Sequence, residues 1–475
     1  MRSELKALVL LVVPVVSLFA GPPDTLWTKT FDSGGADVGY WVEQTTDGGY
    51  ILVGSAGGAG NNDVWLIKTD ANGNELWNKT FGGDSSDIGH CVQQTSDGGY
   101  IIGGITRSYG AGLYDIWIIK TDSSGDTVWT RTYGGSGDDG YNSYLVQGRV
   151  SVDQTNDGGY IVAGYVRDLG SGGGDIWLIK MNSAGDTLWT KVFGGTYADL
   201  SYETQQTMDG GYIIIGITYS YDAGWGDFWL IKTDSLGNEM WNKVYGTDAP
   251  EEGWSVQQTT DGGYIAVGGT AYWEAVWLLK TDTNGDTLWS GLYAADTFGS
   301  IGYCVRQTID GGYIISGDKY TSNGLWLVKT DQAGDTLWTK SLSDFGRARC
   351  VQQTTDSGYI VISNAAGNIR LSKFGAEPGI KEGKVRSGKL ELRSLKILPS
   401  PAKKEVEICY YLQEKGNISL QILDVQGRLV KKIFSGFKDR GLHRLMVDCQ
   451  DLASGTYFVE MKDGTVVSRK MMVIR

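Results

Sequence analysis

Histidine occurs only twice in the 475 residues, cysteine five times and proline seven times. Two histidines exclude a His-rich zinc centre. A Ser-His-Asp triad in the larger part of the chain would have to use His90, which stands where related segments carry Tyr40 and Tyr303 and so reads as a packed aromatic substitute. Five cysteines are too few for a disulfide scaffold. Cys91, Cys304 and Cys350 share one equivalent position and read as small buried residues, and whether Cys409 and Cys449 pair is left open. Long apolar runs are absent with one exception. Ala7 to Phe19, preceded by Arg2 and Lys6 and followed by Ala20, has the pattern of a secretory signal peptide over residues 1–20. No second run exists, so no transmembrane segment is expected.

Basic charge is scarce in one part only. Residues 21–375 carry 21 Lys+Arg against 42 Asp+Glu, whereas residues 376–475 carry 19 against 12. An acidic body speaks against nucleic acid, which needs a basic footprint, and the basic tail is a separate piece. Residues 376–393 read as a polar linker between the two.

What is abundant is glycine (70 residues) together with 17 Trp and 26 Tyr. That combination points to many short strands joined by tight turns. It also repeats. The anchor DGGY starts at Asp47, Asp97, Asp157, Asp209, Asp261 and Asp310, and DSGY starts at Asp356. Each unit reads as four strands, with a TDGG hairpin between the first two and a D-x-x-G turn before the fourth. Four-stranded sheets packed face to face in series predict a β-propeller. The last unit lacks a fourth strand, while Asp24 to Phe31 is a fourth strand without a unit. Pairing the two predicts an all-β, seven-bladed ring over residues 21–375, closed by its N-terminal strand. The D-x-x-G turns read as Asx-type turns rather than calcium loops, since no Glu follows Asp70 at the twelfth position.

The motif D-x-x-G-x-x-x-W, as in Asp122, Gly125 and Trp129, resembles the secreted bacterial propeller repeats of the quinoprotein-dehydrogenase-like superfamily. The resemblance implies fold, not chemistry. Quinone enzymes of that superfamily have eight blades and often a vicinal cysteine pair, so no quinone cofactor is expected here. Residues 394–475 alternate as six strands of an Ig-like sandwich. Pro399-Ser-Pro401, LQILDVQGR (Leu420 to Arg428), SGTYFVEM with Gly455 and Tyr457, and the closing Arg469-Lys470 strand resemble the C-terminal sorting domains of type IX secretion substrates. The resemblance implies passage through the periplasm and an outer-membrane secretion machine to the cell surface or beyond.

Residues that recur in every unit build the blade; function is expected where units differ. Thirteen of the 17 Trp are periodic and read as packing. The recurrent Gln-Thr pair before each hairpin reads as inner-strand hydrogen bonding, and the third-strand lysines such as Lys68 as solvated strand ends. The variable loops lie on one face, and the candidate ligand platform there is Tyr141, Tyr144, Tyr219, Tyr221, Trp225, Trp254 and Trp273. Asp37, Asp87, Asp199 and Glu251 recur just before the inner strand. They suggest a carboxylate ring for calcium or, alternatively, acceptors for loop N–H groups. General acid–base groups other than carboxylates are scarce, which favours a binding or adhesion module for a glycan or protein. A carbohydrate-active enzyme using those carboxylates, or a structural coat component, are the alternatives.

Overall fold

The computed structural model describes residues 21–377 and 394–473, apart from short segments at 59–60, 141–147, 222–225, 248, 271–273, 295–298 and 320–323 and the loops of the tail. The expected signal peptide and most of the expected linker lie outside the described residues. One body ends at Ile380 and the second comprises Lys381–Arg475.

Among the described residues, the first body holds seven four-stranded antiparallel sheets. In the second sheet, for example, Asp87–Gln94, Tyr100–Thr106, Asp115–Thr121 and Thr127–Tyr133 follow in order. Its two middle strands are buried on both faces, because neighbouring sheets cover them, while the fourth alternates exposed and half-buried. The last sheet is completed from the other end of the chain: Thr25–Phe31 pairs with Asn368–Phe374, with Thr28 opposite Ser372. Repeated four-stranded sheets of this kind make a β-propeller.

Two contacts recur from each sheet to the next and from the last to the first. Fourth-strand Trp rings meet the DGGY tyrosine of the following sheet edge-on or tilted, as in Trp77–Tyr100 at 5.8 Å, and Trp27 meets Tyr50 at 5.9 Å across the seam. The same Trp sits on the D-x-x-G glycine of that sheet. A Cβ on Gly125 would lie 2.6 Å from Trp77, so only glycine admits the ring. The inner strands are joined by the Gln of the Gln-Thr pair. Gln94 Oε1 accepts the Thr46 N–H at 2.8 Å, and the relay closes when Gln44 accepts the Thr355 N–H at 2.9 Å. The D-x-x-G turns are Asx turns: Asp70 Oδ1 accepts the Asn72 and Asn74 N–H groups.

The third-strand lysines are not solvated ends. Each ammonium is buried and bridges the hairpin aspartate, as Lys68 to Asp47 and Lys329 to Asp310, both at 2.9 Å. Each also donates to the carbonyl of the residue that follows it, such as Thr69. The turn thus folds over a buried cation and completes its hydrogen bonding. Burial works against ionisation of Asp47, but hydrogen bonds from Thr45 and Lys68 outweigh it and hold the carboxyl down at about 2.

The tail contains two sheets. Ser394–Leu398, Glu405–Leu412 and Gly441–Asp448 form one, and Leu429–Lys438, Gly416–Leu423, Gly455–Lys462 and Val466–Val473 the other. Ile418, Leu420 and Ile422 alternate into a core with Val406, Ile408, Val459 and the free thiol of Cys449. The side chain of Cys409 lies outside the described residues.

Six hairpins place glycine at a positive φ, as Gly98 at 82°, but the seventh places Ser357 at 64°. A side chain costs energy there that glycine avoids. Ser357→Gly should raise stability by about 1 kcal/mol, read from the urea midpoint at unchanged m-value.

Candidate functional site: the central channel

The acids before each inner strand are spent on their own loops. Asp37 accepts the Ser33 and Gly57 N–H groups at 2.8 and 3.0 Å. Asp87 accepts those of Gly83 and Arg107 at 3.0 and 3.1 Å. Asp199 takes the Gly195 N–H and the Ser220 hydroxyl at 2.9 and 2.7 Å, and Glu251 the Thr247 N–H and hydroxyl at 3.0 and 2.8 Å. All four are buried, and Asp139 is a fifth member, binding the Gly135 and Arg167 N–H groups. A second acid heads the third strand in four sheets. Asp175 is one, its carboxyl pushed up to about 6 by burial and by Asp199. Among the described residues no three carboxylate, His or Cys side chains converge to hold a metal ion.

The proposed aromatic platform divides. Tyr141, Tyr144, Trp225 and Trp273 lie outside the described residues. Tyr221 is exposed, with its ring 5.3 Å from Trp229 and its hydroxyl donating to the Gly194 carbonyl. Tyr109 does the same on Trp117 and Gly82, so both rings cover the rim. Tyr219 is half-buried against the core that holds Ile217 and Phe228. Trp254 points into the channel.

It does so because of a bulge. Six inner strands shift register by one residue at the same place, and the residues set free are Tyr40, His90, Tyr202, Trp254, Tyr303 and Arg349. Arg149, just ahead of the short strand Ser151–Gln154, fills the remaining place. Their rings and guanidiniums form a waist. Tyr202 lies 4.3 Å from Trp254, Trp254 5.3 Å from Tyr303, and Tyr40 5.4 Å from His90. Arg149 stacks on Tyr40 at 5.5 Å and on Trp254 at 5.1 Å, and Arg349 on Tyr303 at 4.5 Å. His90 is buried, accepts the Val150 N–H on Nδ1 at 3.1 Å, and is pushed down to about 3 by burial and by Arg149. It is a neutral packed ring, not a base.

Between the waist and the hairpin turns the channel widens into a cavity of about 480 Å³ lined by Trp41, Glu43, Asp153, Glu203, Arg306 and glutamines of the inner strands. The residue before the relay glutamine is Gln93, Gln205, Gln257 or Gln352 in four strands and Glu43, Asp153 or Arg306 in three. Arg306 is the hub: it pairs with Glu203 at 2.9 Å and lies 5.0 Å over the Trp41 ring. Glu43 Oε2 accepts the Gln94 N–H, and Asp153 accepts the Gln206 N–H and the Gln93 amide, each at 2.9 Å. Burial pushes Glu43 up to about 7, with Asp153 adding to the shift and the Gln94 N–H and Arg306 opposing it. Burial raises Asp153 as well, so two carboxyls that favour their protonated forms stand beside Glu203 and one guanidinium.

These residues escaped the sequence reading, which looked for differences among loops and not among inner strands. The equivalent positions of seven aligned strands carried the signal.

With the fold in view, comparison places the larger body among β-propellers. The WD40 domain of Neurospora crassa Pan2 superposes with a TM-score of 0.51 at 10% identity, over 78% of this chain and 98% of that one, a likeness of fold alone. PorZ, a surface component of the type-IX secretion system of Porphyromonas gingivalis, gives a TM-score of 0.43 at 13% identity over 94% of this chain. This chain spans 60% of the length of that structure. Sqt1 of Chaetomium thermophilum gives 0.44 at 10% identity, over 79% of this chain and 94% of that one. No curated protein matches the sequence. Residues 396–475 match the family of secretion system C-terminal sorting domains. The tail is thus a type IX sorting domain, and the protein is secreted and cell-surface. Among the described residues no helix is long and apolar enough to cross a membrane.

Glu43 gives a pH test. Its folded value lies above the unfolded carboxylate value, so its stability contribution is complete below about 4.5 and is lost as pH rises through about 7. Glu43→Gln keeps an acceptor for Gln94 without the charge. The two proteins should melt together at pH 4.5, and the variant should melt higher at pH 8.

Proposed function

We propose that this is a surface-displayed binding module: a closed seven-bladed ring of quinoprotein-like repeats, delivered by an Ig-like sorting domain, that takes a glycan or protein ligand into its central channel. The observation that carries the reading is where the repeat is broken. Trp41, Glu43, Asp153, Glu203 and Arg306 each depart from the pattern of their strand position, and all five line one cavity. A scaffold needs none of these departures. The ligand enters from the end of the hairpin turns, where Ile309, Thr354 and Thr355 line the same cavity, and reaches Trp254 at the waist; a second contact on the loop-rich face, by Tyr219 and Tyr221, is a further proposal. Calcium at the rim carboxylates Asp37, Asp87, Asp199 and Glu251 is a secondary proposal, tested by repeating the assay with chelator.

One observation favours a second reading. Glu43, protonated near neutral pH beside Asp153, has the makings of a general acid with a carboxylate partner. That reading makes the protein a carbohydrate-active enzyme working in the channel.

Residues 21–475 passed over a panel of immobilised polysaccharides and surface proteins separate the two. Retention without new reducing ends is expected. Trp41→Ala and Trp254→Ala should each weaken retention about tenfold or more, as loss of a stacked aromatic anchor does. New reducing ends that vanish in Glu43→Gln would replace the binding module with the enzyme. Ring closure has its own check. Deleting residues 21–31 exposes the edge of Asn368–Phe374 and should convert a monomer into a self-associating species by light scattering.

A further inference from the structure

The waist contains two cations whose hydrogen-bonding edges are unused. The Arg149 guanidinium lies between the Tyr40 and Trp254 rings, and that of Arg349 lies on Tyr303. Stacking occupies the faces of these planar groups and leaves their in-plane N–H donors free. Neither guanidinium makes a hydrogen bond or ion pair with a described residue, and Arg349 Nε is buried without an acceptor. The Tyr202 hydroxyl, 4% exposed, belongs to the same girdle; the Gly148 backbone N–H approaches its oxygen, and no described group accepts its proton.

Charge makes the position of Arg149 more acute. The groups that act on it are Arg349, a like charge, and the phenols of Tyr40, Tyr202 and Tyr303. His90 beside it is neutral and uses Nδ1 as an acceptor for Val150. Asp318 lies near Arg349; its Oδ2 pairs with Arg347 at 3.1 Å, while its buried Oδ1 makes no hydrogen bond, not even to Arg349. Two half-buried guanidiniums and a hydroxyl, none of them hydrogen-bonded to a described acceptor, are complementary to a group that only accepts and carries negative charge.

We infer that Arg149 and Arg349, with Tyr202, form an oxyanion site at the channel waist that takes the carboxylate or sulfate of an acidic saccharide. The inference rests on the binding reading above and names its ligand class. The aromatic rings beside the two guanidiniums, Tyr40 and Trp254 at Arg149 and Tyr303 at Arg349, suit a sugar ring attached to the anion. The chain as a whole carries a formal charge of −13, so long-range attraction of polyanions is absent. Recognition must come from these short-range donors, and added salt should not weaken it as it weakens a basic surface.

The test uses residues 21–475 and the Arg149→Gln and Arg349→Gln variants. The probes are oligogalacturonate, a sulfated chondroitin oligosaccharide and a neutral oligogalactose. The expected result is binding of one or both acidic probes and not of the neutral one, with the preferred anion identifying carboxylate or sulfate. Either substitution should weaken it about tenfold or more, the worth of a charge-assisted hydrogen bond. Without ligand, Arg149→Gln should melt no lower than the parent, since it removes an unpaired charge. Equal binding of acidic and neutral probes, unaffected by either substitution, overturns the oxyanion site and leaves the binding module standing. If no saccharide binds, free glucuronate and sulfate decide. A rise in melting temperature in the parent that is absent in Arg149→Gln keeps the site and removes the saccharide-binding module; no difference overturns the site as well. A lower melting point for Arg149→Gln with unchanged acidic binding assigns the arginine to packing and overturns the inference.

Discussion

One strand holds the larger body in register. Thr25–Phe31 lies against Asn368–Phe374, pairing Thr28 with a residue 344 positions away. Among the described residues, every other strand-to-strand ladder in that body joins neighbours in sequence, and each forms by closing a short loop. This ladder alone closes the whole body, so its entropy cost is met only after the other sheets have ordered their ends. The Trp27–Tyr50 contact and the Thr355 to Gln44 hydrogen bond complete at the seam what the other sheets make among themselves.

The repeat divides labour by depth. Toward the outer edge every sheet solves the same problem in the same way: a tryptophan over a glycine, a lysine under an aspartate, an Asx turn before the fourth strand. Toward the axis the solutions diverge. One position holds Gln, Glu, Asp or Arg, another Trp, Cys, Ser or Glu, without disturbing the ladders beside them. Packing between sheets is therefore carried by residues that do not face the channel, and the channel's chemistry varies against an unchanged wall.

The sheets, their four-strand order and the exchange of the first strand into the last sheet were legible because each follows from periodicity and turn chemistry. His90 and the three equivalent cysteines were legible because position within a repeat constrains a residue more than its type does. The lysines were misread. Lys68 ends an apolar strand, and nothing local shows that the hairpin of the same sheet folds an aspartate over it. The channel was illegible for a related reason. Tyr40 and Trp254 face the axis only because a register shift frees them, and a bulge of one residue leaves no mark on the alternation of so short a strand. Arg149 and Arg349 become neighbours only once strands from distant sheets share an axis.

Because the freed residue has no partner on the next strand, exchanging it leaves every ladder hydrogen bond intact. Tyrosine, tryptophan, histidine and arginine already occupy equivalent places. The waist is thus a set of side chains that natural variation can swap one at a time, so that relatives built on the same sheets present different chemistries at the same depth while inheriting one scaffold.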